Sequence, residues 1–225
     1  LKYNLYLCKN YKTNEKIFEE KTKVALRYEN MSEKIINVAE SFNGVPHLNK
    51  TYDNNSFYFT FDSLDYFNFV ELTVAISLTS CYEQHNYKVF QTVLKKIRYE
   101  NGLPLGYASK HYYFLGWTAN LISRQLVTDF SEYYDGIPLK KNLNYISSTQ
   151  KLMRNDSIKM VNIEKNLSKK IQHYIPKNKI YDIESKLLDG DIIAFVSPSP
   201  DRDIMHMGFV KIKDCRPYLL HSSPI

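Results

Sequence analysis

Helical and strand patterns are segregated along this chain, and that order constrains its fold more than any single motif. Apolar residues recur at spacings of three and four through most of the sequence, and three apolar strand segments then close it, at about 191–197, 205–213 and 217–221. Asp189-Gly190 precedes the first of these, Pro198 to Pro200 follow it, and Asp214 to Pro217 precede the last. Such turn residues separate neighbouring antiparallel strands. Helices followed by a strand set predict an α+β fold. The spacing predicts helices over 14–28, 33–43, 65–80, 86–99, 108–125 and 158–171, with Ser32 and Asp65 as N-caps of the second and third. Alternating aromatic and polar residues predict a short strand over 56–61, and 126–156 reads as loop-rich around the turn Asp135-Gly136.

At 225 residues and 44% hydrophobic, the chain suits a single domain over 1–225, with 82–156 as a helical and loop insertion. No run approaches the roughly 18 uninterrupted apolar residues of a membrane span. The net charge is +6 and the pI about 9.0. The lysines are dispersed, as at Lys95-Lys96, Lys140-Lys141 and Lys169-Lys170, with acids between them. That pattern describes a solvated surface rather than a nucleic-acid track. Cys8, Cys81 and Cys215 have neither metal-ligand spacing nor the makings of a disulfide framework. Asp203 and His206 carry no HExxH or paired-cysteine pattern, so neither metal nor cofactor is expected. The sequence opens at Leu1 without a basic-then-apolar signal, and Leu5-Tyr6-Leu7-Cys8 lacks the small residues of a lipid-attachment site. The compartment is therefore not read from the residues themselves.

Two histidines lie in the closing strands. His206 interrupts Asp203-Ile204-Met205-His206-Met207-Gly208-Phe209-Val210, and His221 ends Tyr218-Leu219-Leu220-His221. A lone histidine in an apolar strand is more often a hydrogen-bonded core residue than a catalyst, but two on adjacent strands also suit a base and the partner that orients it. A nucleophile for such a pair is expected at the start of the helix after Phe61-Asp62-Ser63-Leu64-Asp65. That position holds Tyr66.

Residues 35 to 223 resemble the N-acetylmuramoyl-L-alanine-amidase-like family within the papain-like NlpC superfamily. The resemblance rests on Ala39-Glu40-Ser41-Phe42-Asn43-Gly44-Val45-Pro46, Asp62-Ser63-Leu64-Asp65, Phe69-Val70-Glu71 and Lys96-Ile97-Arg98-Tyr99-Glu100-Asn101-Gly102. It continues through Gly106-Tyr107-Ala108-Ser109, Trp117, Ile175-Pro176-Lys177, Asp189-Gly190-Asp191-Ile192-Ile193, His206-Met207-Gly208 and Leu219-Leu220-His221. It implies a papain-like fold, a bacterial cell-wall fragment (a muropeptide) as ligand, and a periplasmic or secreted setting. It also implies cleavage of the amide between the muramoyl lactyl group and L-alanine through an acyl-enzyme. By the resemblance His206 is the base, His221 its orienting partner, and Tyr66 stands where the nucleophilic cysteine belongs. Asp65, Tyr112 and Trp117 are the candidate ligand contacts, with helix capping for Asp65 and core packing for Trp117 as the competing readings. The family's histidine falls on Tyr112 and its acid on Gly116, so His111 is one residue out of register.

Tyrosine is a poor replacement for a thiol. With reference pKa values of about 10 for tyrosine, 8.5 for cysteine and 6.5 for histidine, proton transfer to imidazole is uphill by ~3.5 units from the phenol, or roughly 5 kcal/mol, and by ~2 from the thiol. A helix dipole and ion pairing can close the smaller gap. Cys81, fifteen residues after Tyr66, would lie ~22 Å away along a continuous helix. The chain therefore reads as a catalytically impaired amidase homologue that binds a muropeptide or a protein partner. The alternative is an active amidase using an unusual nucleophile or a water activated by His206. Whether it is an enzyme stays open at this point.

Overall fold

The computed structural model describes residues 12–48, 57–150 and 154–224. Cys8 and its neighbours lie outside the described residues. The architecture is mixed α+β: helices come first, a two-stranded antiparallel sheet is interleaved with later helices, and a three-stranded antiparallel sheet closes the fold. Helices α1 (Asn14–Ala25), α2 (Met31–Glu40), α3 (Tyr66–Thr79) and α4 (Tyr87–Arg98) form the N-terminal part. Then come α5 (Phe114–Ser123), strand β1 (Ile137–Leu139), α6 (Tyr145–Thr149), α7 (Arg154–Leu167) and β2 (Gln172–Tyr174). Strands β3 (Ile192–Val196), β4 (Ile204–Lys213) and β5 (Arg216–Leu220) end the fold as one antiparallel sheet with β4 in the middle.

Helix α3 is apolar on every side, which is the pattern of a helix enclosed by its neighbours. All residues from Phe69 to Ser77 are buried, with α1, α2, α4 and β4 around them. Phe69 meets Phe209 of β4 at 5.7 Å between ring centroids, so the helix and the sheet share one core. A second apolar cluster gathers Tyr107, Tyr113, Leu143, Ile146, Met160 and Leu167 from the segment between α4 and β2. No helix of the described residues is long and apolar enough to cross a membrane.

The expected strand over 56–61 is not one. Residues 57–60 adopt no regular structure and 61–63 bend. Side chains satisfy this backbone in place of a neighbouring strand. Asn14 Nδ2 donates to the Phe59 carbonyl (3.1 Å) and Arg98 Nη1 to the Tyr58 carbonyl (2.8 Å). The alternating aromatics are real, but Phe59 and Phe61 insert among Phe42, Tyr87 and Phe90. Several helix boundaries also move, and two of them have a visible cause. Asn30, not Ser32, caps α2, accepting from the Ser32 N–H at 2.8 Å. The helix expected over 108–125 begins only at Phe114, because the Asp156 carboxylate takes the Tyr107 and Ala108 N–H groups and the Arg98 carbonyl takes that of His111.

Candidate active site

Tyr66 is the first residue of α3, where backbone N–H groups point out of the helix and carry its positive end. Asp65 caps that end as expected. Its Oδ1 accepts from the Asn68 N–H (2.7 Å) and its Oδ2 from Asn68 Nδ2 (3.1 Å). Asp65→Ala should therefore lower stability by about 1–2 kcal/mol, measured by urea unfolding; a loss of under a few tenths would refute the capping role. Beneath this first turn, Arg98 on α4 donates through Nε to Glu71 (2.8 Å) and through Nη2 to Asn68 Oδ1 (3.2 Å). Arg98 and Glu71 are only 1% and 0% exposed, so Glu71 is part of the internal support of α3 and does not face a ligand.

The two histidines meet. His206 Nε2 lies 2.7 Å from His221 Nδ1, with the rings nearly perpendicular at 89°. A single proton bridges two nitrogens at that distance. If His206 donates from Nε2, its Nδ1 lone pair is left to serve as a base and His221 fixes the ring. Gly208 makes the approach possible: a Cβ there would lie 2.5 Å from the Leu220 carbonyl oxygen and 2.9 Å from His221 Cβ. His47 and Ser222 hold the segment after β5, with His47 Nδ1 3.3 Å from Ser222 Oγ, which donates to the Leu64 carbonyl at 2.6 Å. At the other end of the strand pair, the buried Asp203 carboxylate accepts the Leu115 and Ile204 N–H groups (2.8 Å each), tying the start of β4 to the start of α5.

Tyr66 stands against His206. Their ring centroids are 5.0 Å apart and tilted by 60°, an edge contact, and the Tyr66 hydroxyl makes no hydrogen bond to the imidazole. Burial raises the phenol's pKa, and the charges of Asp65 and Asp203 push the same way. The phenolate is thus disfavoured where a nucleophile would need it. A pocket of about 110 Å³ lies against His221, lined among others by Asn43, Val45, Leu64, Phe69 and Ser222, but not by Tyr66 or His206. Among the described residues no group of three or more His, Cys, Asp or Glu side chains is placed to hold a metal ion.

Residues 37–225 match the family model described as N-acetylmuramoyl-L-alanine amidase-like. The chain belongs to that family. Among solved structures, an N-acetylmuramoyl-L-alanine amidase from Bacteroides uniformis is 27% identical, with 86% of this chain and 85% of that one covered at a TM-score of 0.77. A Bacteroides fragilis protein provisionally assigned as a xylanase is 30% identical, with 82% and 85% covered and a TM-score of 0.73. A Legionella pneumophila protein at 18% identity shares the fold, with 93% and 84% covered and a TM-score of 0.66. No curated protein matches the chain.

Within this amidase-like frame the structure brings Tyr66, His206 and His221 together with the capping Asp65, and places Trp117 and Tyr112 elsewhere. Trp117 is 0% exposed, packed against Phe67 and Phe114. It is a core residue, and no face of it is open to stack on a ligand. Tyr112 is half-buried and lies flat on Tyr107, with centroids 4.5 Å apart, beside the second cluster. His111 sits against Gly116, whose Cβ would meet its Nδ1 at 3.6 Å, and burial lowers its pKa. Cys81 lies beyond the far end of an unbroken α3, and Cys215 in the β4–β5 turn. Sequence reasoning missed Arg202 and Tyr145: the Arg202 guanidinium lies over the Tyr145 ring, 3.6 Å from its centroid. Fifty-seven residues separate them, and no periodicity marks either.

Burial lowers the His206 pKa, as do the positive charges that His221 and His47 would carry. The native chain therefore favours neutral His206, whereas the unfolded chain takes up its proton near pH 6.5. Stability from this residue is full above that value and declines as the pH falls through it. Urea unfolding between pH 7.5 and 5 should show a decline that is shallower in His206→Gln; equal slopes would count against the assignment.

Proposed function

We propose that this chain is a papain-like member of the amidase-like family that binds muropeptides without cleaving them efficiently. The observation that carries the reading is the contact at the helix start: the Tyr66 ring stands edge-on against His206, where the nucleophile is needed, in a setting that disfavours its phenolate. A thiol at a helix N-terminus beside an imidazole is partly ionised by both, whereas a phenol starts ~1.5 pKa units higher than a thiol. The phenolic oxygen also stands several bonds further from the backbone than a thiol sulfur. The intact His206–His221 pair and the family membership support muropeptide as the ligand class. Incubating the chain with anhydromuropeptides should give saturable binding with little release of L-alanine-headed peptide. Robust turnover, or no binding, would overturn the reading.

One observation favours a second reading. The 2.7 Å contact fixes His206 as a base-and-partner pair requires, so a water activated at Nδ1 could replace the missing thiol. In that case His206→Ala abolishes whatever hydrolysis the unaltered chain performs.

A further inference from the structure

The turn that delivers His206 also carries a cation with little to neutralise it. Arg202 lies four residues before His206, its side chain about half exposed (47%). Among the described residues its one ionic partner is Asp201, 3.9 Å from Nε, at the limit of an ion pair, and that carboxylate is already taken by the Ser199 hydroxyl. Among the described residues the guanidinium makes no hydrogen bond. It is nevertheless fixed in place, flat on Tyr145. The turn that holds it opens β4, the strand that carries His206, and the charges of Arg202 and Tyr145 both bear on the Tyr66 phenol.

Both halves of the Arg202–Tyr145 pair are held from behind. The Glu164 carboxylate, 2% exposed, accepts the Tyr113 hydroxyl (2.6 Å) and the N–H groups of Ile146 (3.1 Å) and Ser147 (3.0 Å), which fixes the start of α6. The Arg202 turn is joined to the same segment by the Asn142 N–H donating to the Pro200 carbonyl (3.0 Å) and by Lys141 Nζ donating to the Ser199 carbonyl (2.9 Å). An arginine stacked on an aromatic ring, with its N–H donors unused and its rotamer held, loses little entropy on meeting an anion. Its planar fork suits a carboxylate.

We propose that Arg202, shelved on Tyr145 in the turn before the His206 strand, is a recognition site for a carboxylate on the peptide part of the ligand. The inference rests on the muropeptide reading, because a peptide headed by L-alanine carries its free carboxylates beyond that residue. The intact chain is tested by calorimetry with two probes, N-acetylmuramoyl-L-alanyl-D-glutamate and its diamide, which differ in the charge of the peptide alone. The unaltered chain should prefer the acid by about 10- to 100-fold. Arg202→Ala should lose that preference while binding the diamide as before, and Arg202→Lys should keep part of it. Tyr145→Leu, which removes the shelf but keeps the charge, should give an intermediate preference. Unchanged acid-over-diamide preference in Arg202→Ala, or no preference in the unaltered chain, overturns the subsite and leaves the muropeptide reading standing. Failure of the unaltered chain to bind either probe removes both.

Discussion

Replacing Tyr66 by cysteine should raise hydrolysis of N-acetylmuramoyl-L-alanyl peptides by about 10³-fold or more over the unaltered chain, the scale that an activated nucleophile with a positioned base supplies. The new thiol would stand at the N-terminus of α3, and the edge contact of the residue it replaces puts it beside His206. The helix end and the imidazole both favour the thiolate, and His221 already holds the imidazole at 2.7 Å. The thiolate attacks the lactyl carbonyl, His206 returns its proton to the departing L-alanine nitrogen, and water releases the acyl group. Peptide release followed by chromatography measures the gain. Adding His206→Ala to the cysteine variant should remove it, and alkylation of residue 66 should do the same. A cysteine variant that folds, binds the muropeptide and stays silent would place the defect elsewhere, with Tyr112 and Gly116, where the sequence resemblance implies other residues, as the first places to look.

Much of the scaffold for that experiment was legible in the sequence, because its signals are local. The recurrence of Phe69, Leu72, Thr73 and Ile76 at spacings of three and four and the capping Asp65 mark α3 within one residue, and Gly190, the prolines around 198–200 and Asp214 bracket the closing strands. Where the reading failed, a distant side chain had replaced a local rule. Phe57 to Phe61 alternate like a strand, but their backbone is held by Asn14 and Arg98, about 40 or more residues away in sequence. Strands β1 and β2 escaped notice because each has three residues, one of them Pro138, and they pair across more than thirty residues. At the site, the resemblance located His206, His221 and Tyr66, but neither the 2.7 Å contact nor the need for Gly208 to lack a side chain follows from spacing. The Arg98–Glu71 pair is another such case: two charged residues on helices that read as amphipathic and apolar, with nothing local to say that they meet.

That pair sets the largest expected effect on stability. Arg98→Ala should destabilise the chain by about 3–5 kcal/mol, because it leaves Glu71 as a charge inside the core with its partner gone. Among the described residues Glu71 Oε1 has no hydrogen-bond partner, so the 2.8 Å contact between Oε2 and Arg98 Nε carries its compensation. The same substitution strips the Tyr58 carbonyl and Asn68 Oδ1 of their donors. For a chain of this size each kcal/mol is worth roughly 2–4 °C in Tm, so thermal unfolding should shift by about 10 °C. Removing both charges, as in Arg98→Met with Glu71→Leu, should recover much of the loss, since a buried ion pair can often be exchanged for apolar residues of similar volume. The damage should also have a direction. Asn68 loses the guanidinium that steadies it and still has to satisfy Asp65, so the first turn of α3 loosens before the rest of the helix. Amide exchange at Asn68 and Phe69 should therefore accelerate in Arg98→Ala more than exchange at Ala75 and Ile76 near the other end. A loss below about 1 kcal/mol, or exchange that rises evenly along α3, would mean that the pair is not what holds the helix start against His206.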